Sequence, residues 1–312
     1  MSTPLKKSAL FAGCVRNCGT YLAGVEGNLI NVSRLFTKVG LVLFENDSVD
    51  DTKEKLRTFF PLAVDRAIVS LDGIDTLYKY RTQRLALARN SIATIVRSAP
   101  FKFYDYVVLL DFDDVNATPI DLSPVEKTLK MMEMDSSWGV AFANSLGPYY
   151  DMWALRHPIL CPDDIWLRCE TSRLHYGLSH QEAYEKNFLN RLFKIPIDIG
   201  PFEVESAFGG LGIYKMKCFT ETEAVYNGEQ LAVGKAGVND YLIHYQACEH
   251  VSFHRGIRSQ TNLRLQIVPF MINRNTENLG FGRPEVMSGL RIGMYQANTA
   301  GEATAGDASK YL

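Results

Sequence analysis

The apolar residues fall into short runs and helical stripes that alternate along the first half of the chain. Ser8 to Val15 reads as a strand, and Leu22, Val25, Leu29, Val32 and Phe36 then recur on one face of a helix. Leu41-Val42-Leu43-Phe44 is a short buried strand. Leu56, Phe59, Phe60 and Ala63 follow at i, i+3, i+4 and i+7, which predicts a helix with Ser48 or Asp50 as its cap. Ala67 to Leu71 is a third strand. Leu85, Ala88, Ile92, Ile95 and Val96 mark a further helix, and Tyr106 to Leu110 is a fourth strand running into Asp111. Ser123-Pro124-Val125-Glu126 has the form of a helix start, with Ser as cap, Pro in the first turn and Glu closing a capping box. Trp138 to Ala143 is the next strand. This rhythm predicts an α/β fold with a mostly parallel sheet flanked by helices, whose ligands bind beyond the carboxyl ends of the strands.

The stretch from Ser145 to Pro201 breaks the rhythm. It is rich in Tyr, Trp, His, Pro and Arg, and it reads as an insertion shaping a substrate pocket, with one helix near Ser179 to Phe193. Core-like sequence resumes from Glu205 to Tyr214, around Gly209-Gly210-Leu211-Gly212. Residues 299–312 are dominated by Ala, Gly, Thr and Ser, and a disordered tail is expected there. No internal repeat divides the chain.

Composition narrows the functional classes. The 312 residues are 46% hydrophobic, enough for a sizeable core. The 33 Lys and Arg nearly balance 35 Asp and Glu, for a net charge of −2. General nucleic-acid binding is therefore not expected, while a local basic pocket for a phosphorylated ligand remains open. No apolar stretch approaches a membrane span, and the run Ala9 to Ala12 is too short for a signal peptide, so the expected compartment is cytoplasmic. The six cysteines form no CxxC pair and are expected as buried, reduced thiols.

Three polar clusters carry the candidate chemistry. The first is Glu45-Asn46-Asp47-Ser48-Val49-Asp50-Asp51-Thr52, after the second strand; its carboxylates suit a ribose or a base N–H, or simply a helix-capping loop. The second places Arg81, Arg84 and Arg89 within nine residues, for a diphosphate or for a solvated helix face. They do not all share one face. The third is Asp111-Phe112-Asp113-Asp114 at the end of the fourth strand. Carboxylates crowded there repel one another unless a cation or protons intervene, and hard divalent cations take such oxygen ligands. Gly209 to Gly212 is not a phosphate loop, and nothing fits GxxxxGK[ST] or GxGxxG. In Cys248-Glu249-His250-Val251-Ser252-Phe253-His254 the two histidines are four apart. Three readings stand: a packed helix, a zinc site short of a ligand, or an active-site segment.

The order of these clusters resembles the nucleotide-binding half of the GT-A glycosyltransferases, over about residues 8–145. Glu45, Asn46 and Asp47 look like that family's nucleoside-binding turn, Arg84 with Arg89-Asn90 like the segment under the diphosphate, and Asp111-Phe112-Asp113 like its metal-binding DxD. In the second half, Tyr150-Asp151-Met152-Trp153-Ala154-Leu155-Arg156 resembles a stretch of fungal capsule-type mannosyltransferases. Phe208-Gly209-Gly210 and Glu249 resemble the acceptor-side turn and the later acidic helix start, with His250 where Asp is usual.

The resemblance implies one Rossmann-like GT-A unit over 1–298, with its acceptor-side half at about 146–298. It implies transfer of a sugar from a UDP- or GDP-sugar to a glycan or other hydroxyl acceptor, with Mn²⁺ or Mg²⁺ as Lewis acid. Asp113 and Asp111 would be metal ligands, Asp111 alternatively meeting ribose, and His250 or His254 would complete the shell. Glu45, Asn46, Asp47 and Arg84 would hold the nucleotide. Asp151, Glu205 and Glu249 would be the catalytic carboxylates, beside Trp153, Arg156, Gly209 and Gly210 on the sugar and acceptor side. The mannosyltransferase likeness implies retention of anomeric configuration. The rival classes are a nucleotidyltransferase, which would want a basic Gly-rich loop where Gly13 to Gly19 stands, and a silent sugar-binding module.

Overall fold

The computed structural model of the protein describes residues 5–236, 239–274 and 293–296. In chain order its elements are β1 (Ser8–Val15), α1 (Leu22–Ser33), β2 (Lys38–Asn46), α2 (Thr52–Leu56), β3 (Asp65–Leu71), α3 (Ile74–Leu77), α4 (Arg81–Val96), β4 (Tyr106–Leu110) and α5 (Leu122–Met134). There follow β5 (Trp138–Ser145), α6 (Ile165–Tyr176), α7 (His180–Asn187), β6 (Phe202–Glu203), β7 (Leu211–Lys215), α8 (Lys217–Thr220), β8 (Glu229–Ala236), β9 (Asn239–Gln246), α9 (Glu249–Gln260), β10 (Arg264–Arg274) and β11 (Gly293–Gln296). The main sheet has the order β3-β2-β1-β4-β7-β5-β10-β6. Strands β3, β2, β1, β4, β5 and β10 run one way; β7 and β6 run against them. The fold is α/β, with a mostly parallel eight-stranded sheet flanked by helices. Strands β8, β9 and β11 form a separate antiparallel sheet.

Alternation along the strands splits the core between the two faces. On β1, Leu10 and Ala12 pack with Ala88, Ile92 and Val96 of α4 and with Val251, Phe253 and Ile257 of α9. Ala9 and Phe11 point the other way, to Val25 and Leu29 of α1 and Leu129 and Met132 of α5. The same division holds for Val107 and Leu109 against Val108 and Leu110 on β4. Strands buried on both sides read as unbroken apolar runs, which is why Ser8–Val15 and Tyr106–Leu110 are legible to the residue.

Three local expectations are corrected. The stripe Leu56, Phe59, Phe60, Ala63 is not a helix: α2 ends at Leu56. Pro61 disfavours the helical region for the residue before it, and Phe60 takes φ +52° while its N–H is caught by Glu26 Oε1 at 2.6 Å. Phe59 and Phe60 are buried, so spacing alone imitated a helix face. Helix α5 is capped by Asp121, whose Oδ1 accepts from Ser123 N at 2.9 Å, and Glu126 pairs instead with Lys130. The insertion holds two helices rather than one over 179–193. Helix α6 buries Cys169, Glu170 and Ser172 and so shows little apolar periodicity, while α7 starts at the capping box of Ser179 and Glu182. All six cysteines are free, and no helix among the described residues is long and apolar enough to cross a membrane. The expectation for residues 299–312 lies outside the described residues.

Candidate active site

The carboxyl ends of β1, β2 and β4 open on a cavity of about 240 Å³. Cys14, Val15, Arg16 and Cys18 come from the end of β1 and its loop, Asn46 from β2, and Asp111, Phe112 and Asp113 from the end of β4. Arg81, Arg84 and Leu85 close it from the first turn of α4. The β1 and β2 loops are laced together: Ser48 Oγ accepts from Asn17 N (3.0 Å), Thr52 Oγ1 from Cys18 N (2.8 Å) and Asp50 Oδ2 from Gly19 N (3.0 Å). Much of the acidic stretch thus holds the rim in shape. Glu45 is fully buried, with Oε1 accepting from Ser48 N at 2.9 Å and Oε2 from the Ser70 hydroxyl; it braces its own turn and does not line the cavity. Asp47, at φ +51°, accepts from Gly73 N, Asp75 N and Asn46 Nδ2. Burial pushes its pKa upward, but these hydrogen bonds outweigh it and leave the carboxyl below its ordinary range.

Asp111 and Asp113 stand half-buried on the cavity wall. Burial first, and each other's charge second, raise the Asp113 carboxyl to about 7. Asp111 is raised by burial against the pull of Arg89. Two carboxylates that both resist ionisation at one strand end form a site short of positive charge, which suits a divalent cation. Among the described residues no group of three or more His, Cys, Asp and Glu side chains is gathered for a metal. Neither His250 nor His254 is therefore gathered with Asp111 and Asp113 into the expected shell.

Behind the acids, Asn116 donates to the carbonyls of Asp111 (2.8 Å) and Gly210 (2.7 Å), and Asp111 N donates to Gly210 O (2.9 Å). Gly209 and Gly210 are both left-handed, at φ +66° and +80°, and so turn the chain into β7 beside β4. Register shifts in β10 between Ile267 and Ile272 bring Asn273 to the same turn, where it donates to Gly209 O at 2.6 Å. Asp151 accepts from Gly209 N at 2.9 Å, and burial raises it to about 6. A Cβ on Gly210 would lie 2.6 Å from Tyr150 Oη and from Val115 Cγ1. Gly210→Ala should cost about 2–4 kcal/mol, from left-handed strain plus overpacking. Chemical denaturation measures it, and a cost under about 1 kcal/mol would mean the turn yields.

The basic residues of the lining come from the loop after β1 and from the first turn of α4. Arg16 is paired with Asp75 at 2.9 Å. Arg84 donates to the carbonyls of Tyr78 (2.7 Å) and Lys79 (3.0 Å); burial, then the nearby Arg16, lower its pKa. Arg81 and Arg84, three apart, share a face of α4 and both reach the cavity. Arg89 lies on another face and is buried. Its Nε donates to Glu249 Oε1 at 2.8 Å and its Nη2 to Asp111 Oδ1 at 3.3 Å, with the guanidinium over the Phe208 ring at 5.1 Å. Burial also raises the Cys14 and Cys18 thiols to about 11, so both stay neutral.

The two histidines are core residues. His254 has Nδ1 on Ser206 Oγ (2.8 Å) and Nε2 on Tyr214 Oη (2.9 Å), so neither nitrogen is available to a metal. His250 is stacked 4.1 Å from Phe208, with its Nε2 3.9 Å from Glu249 Oε1. Burial, then Arg89, depress both rings, His254 to about 3.

Three further expected site residues are placed elsewhere. Arg156 is an internal tie, paired with Asp164 and donating to Trp153 O and Leu155 O. Trp153 stands edge-on to Trp166 at 5.9 Å and does not line the cavity. Glu205 is half-buried, 3.6 Å from Arg255, and does not line the cavity. The residues missed as site members are Arg16, Asn116 and Asn273. Of the three arginines that the sequence groups for a diphosphate, Arg81 and Arg84 line the cavity, and Arg89 lies behind it on Asp111 and Glu249.

No family model matches the chain, and no curated protein matches it. Among solved structures it is similar to residues 1-349 of S. aureus TarS in complex with UDP-GlcNAc, at 11% identity and TM-score 0.47, over 89% of this chain and 60% of that one. It is similar to the mannosyltransferase PcManGT from Pyrobaculum calidifontis in complex with GDP-Man and Mn²⁺, at 12% and 0.37, over 72% and 48%. A third is glucosyl-3-phosphoglycerate synthase from Mycobacterium tuberculosis in complex with Mn²⁺, UDP and glucosyl-3-phosphoglycerate, at 11% and 0.34, over 69% and 59%. The chain spans less than two thirds of the length of each.

Proposed function

We propose that the cavity takes the nucleoside diphosphate of a sugar donor with a divalent cation, and that the protein is a metal-dependent GT-A glycosyltransferase. It would move a hexosyl group from a UDP- or GDP-sugar to a hydroxyl of a glycan or other acceptor. The observation that carries this reading is that Asp111 and Asp113 line one cavity together with Arg16, Arg81 and Arg84 at the carboxyl ends of parallel strands. A diphosphate is the ligand class that satisfies both sets of side chains, its oxygens bonding the guanidiniums and sharing a cation with the acids. Asp113 is the principal cation ligand and Asp111 the second, with Mn²⁺ or Mg²⁺ supplying Lewis-acid stabilisation of the leaving diphosphate. Asn46, which lines the cavity, would meet the nucleoside, and Asp47 would brace the turn that carries it. The nucleotide half, about 8–145, and the acceptor half, about 146–298, work as one unit.

Retention of configuration is the stereochemical reading. Burial suppresses the basicity of His250, so it is a poor base for an acceptor hydroxyl. Glu249 is already bonded to Arg89. Asp151, next to the Gly209 turn, would be the carboxyl on the sugar face. The test is hydrolysis of a panel of UDP- and GDP-sugars with Mn²⁺ and with chelator. Release of the nucleoside diphosphate only with Mn²⁺ is expected. Release of sugar 1-phosphate instead, with UMP or GMP in water or with UTP or GTP when pyrophosphate is added, would point to a nucleotidyltransferase, and binding without turnover to a silent module. NMR of the first-formed product should show an α-linkage from an α-linked donor.

A further inference from the structure

We infer that Arg89 is a positioning residue that ties the donor-side acid Asp111 to Glu249, so that Glu249 sets how strongly Asp111 can take a divalent cation. The inference rests on the reading of the cavity just given. Arg89 and Glu249 are nearly sealed from solvent, with side chains 5% and 3% exposed, whereas that of Asp111 is 32% exposed and faces the cavity. The guanidinium is shared unequally: its bond to Glu249 is 2.8 Å and its bond to Asp111 is 3.3 Å. Its Nη1 is buried without a hydrogen-bond partner among the described residues, and one face lies over Phe208, so the group is fixed by its two carboxylates and one ring.

A cation at Asp111 and the guanidinium of Arg89 compete for the same carboxylate. While Glu249 is an anion it keeps the guanidinium to its own side, and the contact with Asp111 stays long and weak. A neutral residue at 249 would leave the full charge of Arg89 to Asp111, which then serves a cation less well. Helix α9 thereby acts on the donor cavity without lining it, through α4. An ion pair with a purely structural role would change the melting temperature and leave the metal-dependent part of ligand binding alone.

The experiment is calorimetry of UDP and of GDP, each with Mn²⁺ and with EDTA, on the full chain and on Glu249→Gln. Gln keeps an oxygen for Arg89 Nε but no charge. The Mn²⁺-dependent gain in affinity should fall about fivefold, with affinity in EDTA unchanged. Arg89→Lys reads the same competition with the opposite sign and decides alone if Glu249→Gln does not fold. Its single ammonium stays with buried Glu249, frees Asp111, and tightens Mn²⁺-dependent binding about fivefold. Folded Glu249→Gln with an unchanged Mn²⁺ gain, or Arg89→Lys with a weaker or unchanged one, overturns the inference. A wild type that binds neither nucleotide with Mn²⁺ overturns the reading of the cavity itself, a result distinct from variants that bind as the wild type does.

Discussion

Asp113→Ala should lower kcat/KM for the sugar donor about a thousandfold, the scale of several kcal/mol that a bound cation supplies to a departing diphosphate. The carboxyl sits half-buried on the cavity wall, and burial together with Asp111 raises it to about 7. A group kept from ionising first by burial and then by a neighbouring carboxylate is one whose anion a divalent cation would stabilise. Asp113 Oδ1 also accepts from Val115 N at 3.2 Å, so Ala removes a local cap as well as a ligand. Asp113→Asn separates these roles, because the amide oxygen can keep the cap while the anionic ligand is lost. Both variants should keep their melting temperature within a few degrees in chelator and lose the upward shift expected of the wild type with Mn²⁺ and UDP or GDP. An Asn variant that shows the same shift as the wild type would remove Asp113 from the proposed cation site.

How far the sequence reaches depends on whether a feature is local. Ser8–Val15 and Tyr106–Leu110 are continuous apolar runs because their strands are covered on both faces, and so the strand ends and the acids beyond them are readable. Asp111 and Asp113 inherit their place from that register. Arg89 does not: its partners lie 22 and 160 residues away, and on the helix alone it is one more arginine out of line with Arg81 and Arg84. The same limit explains the histidines. His250 and His254 share a helix face, which suits a metal, but the partners of His254 are Ser206 and Tyr214, which the sheet brings from 48 and 40 residues off. Glu45 shows the reverse case. An acid after a strand is a reasonable ligand, yet Ser48 N and Ser70 already fill its oxygens. The antiparallel sense of β7 follows from a Gly-Gly turn held by Asn116 and Asn273, both from outside that segment.

His254→Gln should make the protein less acid-sensitive than the wild type, by about 2 kcal/mol between pH 7 and pH 5. The His254 ring is fully buried between Ser206 and Tyr214, and burial, then Arg89, lower it to about 3. In the unfolded chain the ring titrates near 6.5, so between about pH 6.5 and 3 the unfolded state holds the extra proton. The stability that goes with the neutral ring is therefore fully present above pH 6.5 and is lost as the pH falls towards 3. Gln can still donate and accept between the two hydroxyls but binds no proton, so this part of the slope disappears. The comparison must be a difference, because Asp113 and Asp151 pull the other way. Their folded values of about 7 and about 6 lie above the unfolded carboxylate range, and below those values the native state holds their protons more tightly. The wild-type profile alone can thus look nearly flat while large opposed terms run beneath it. Urea unfolding of both proteins at pH 7 and pH 5 gives the difference, and imidazole ¹⁵N shifts in the folded wild type give an independent reading. A ring already protonated at pH 5 in the native state, or parallel profiles for the two proteins, would show that His254 is not held neutral by its burial.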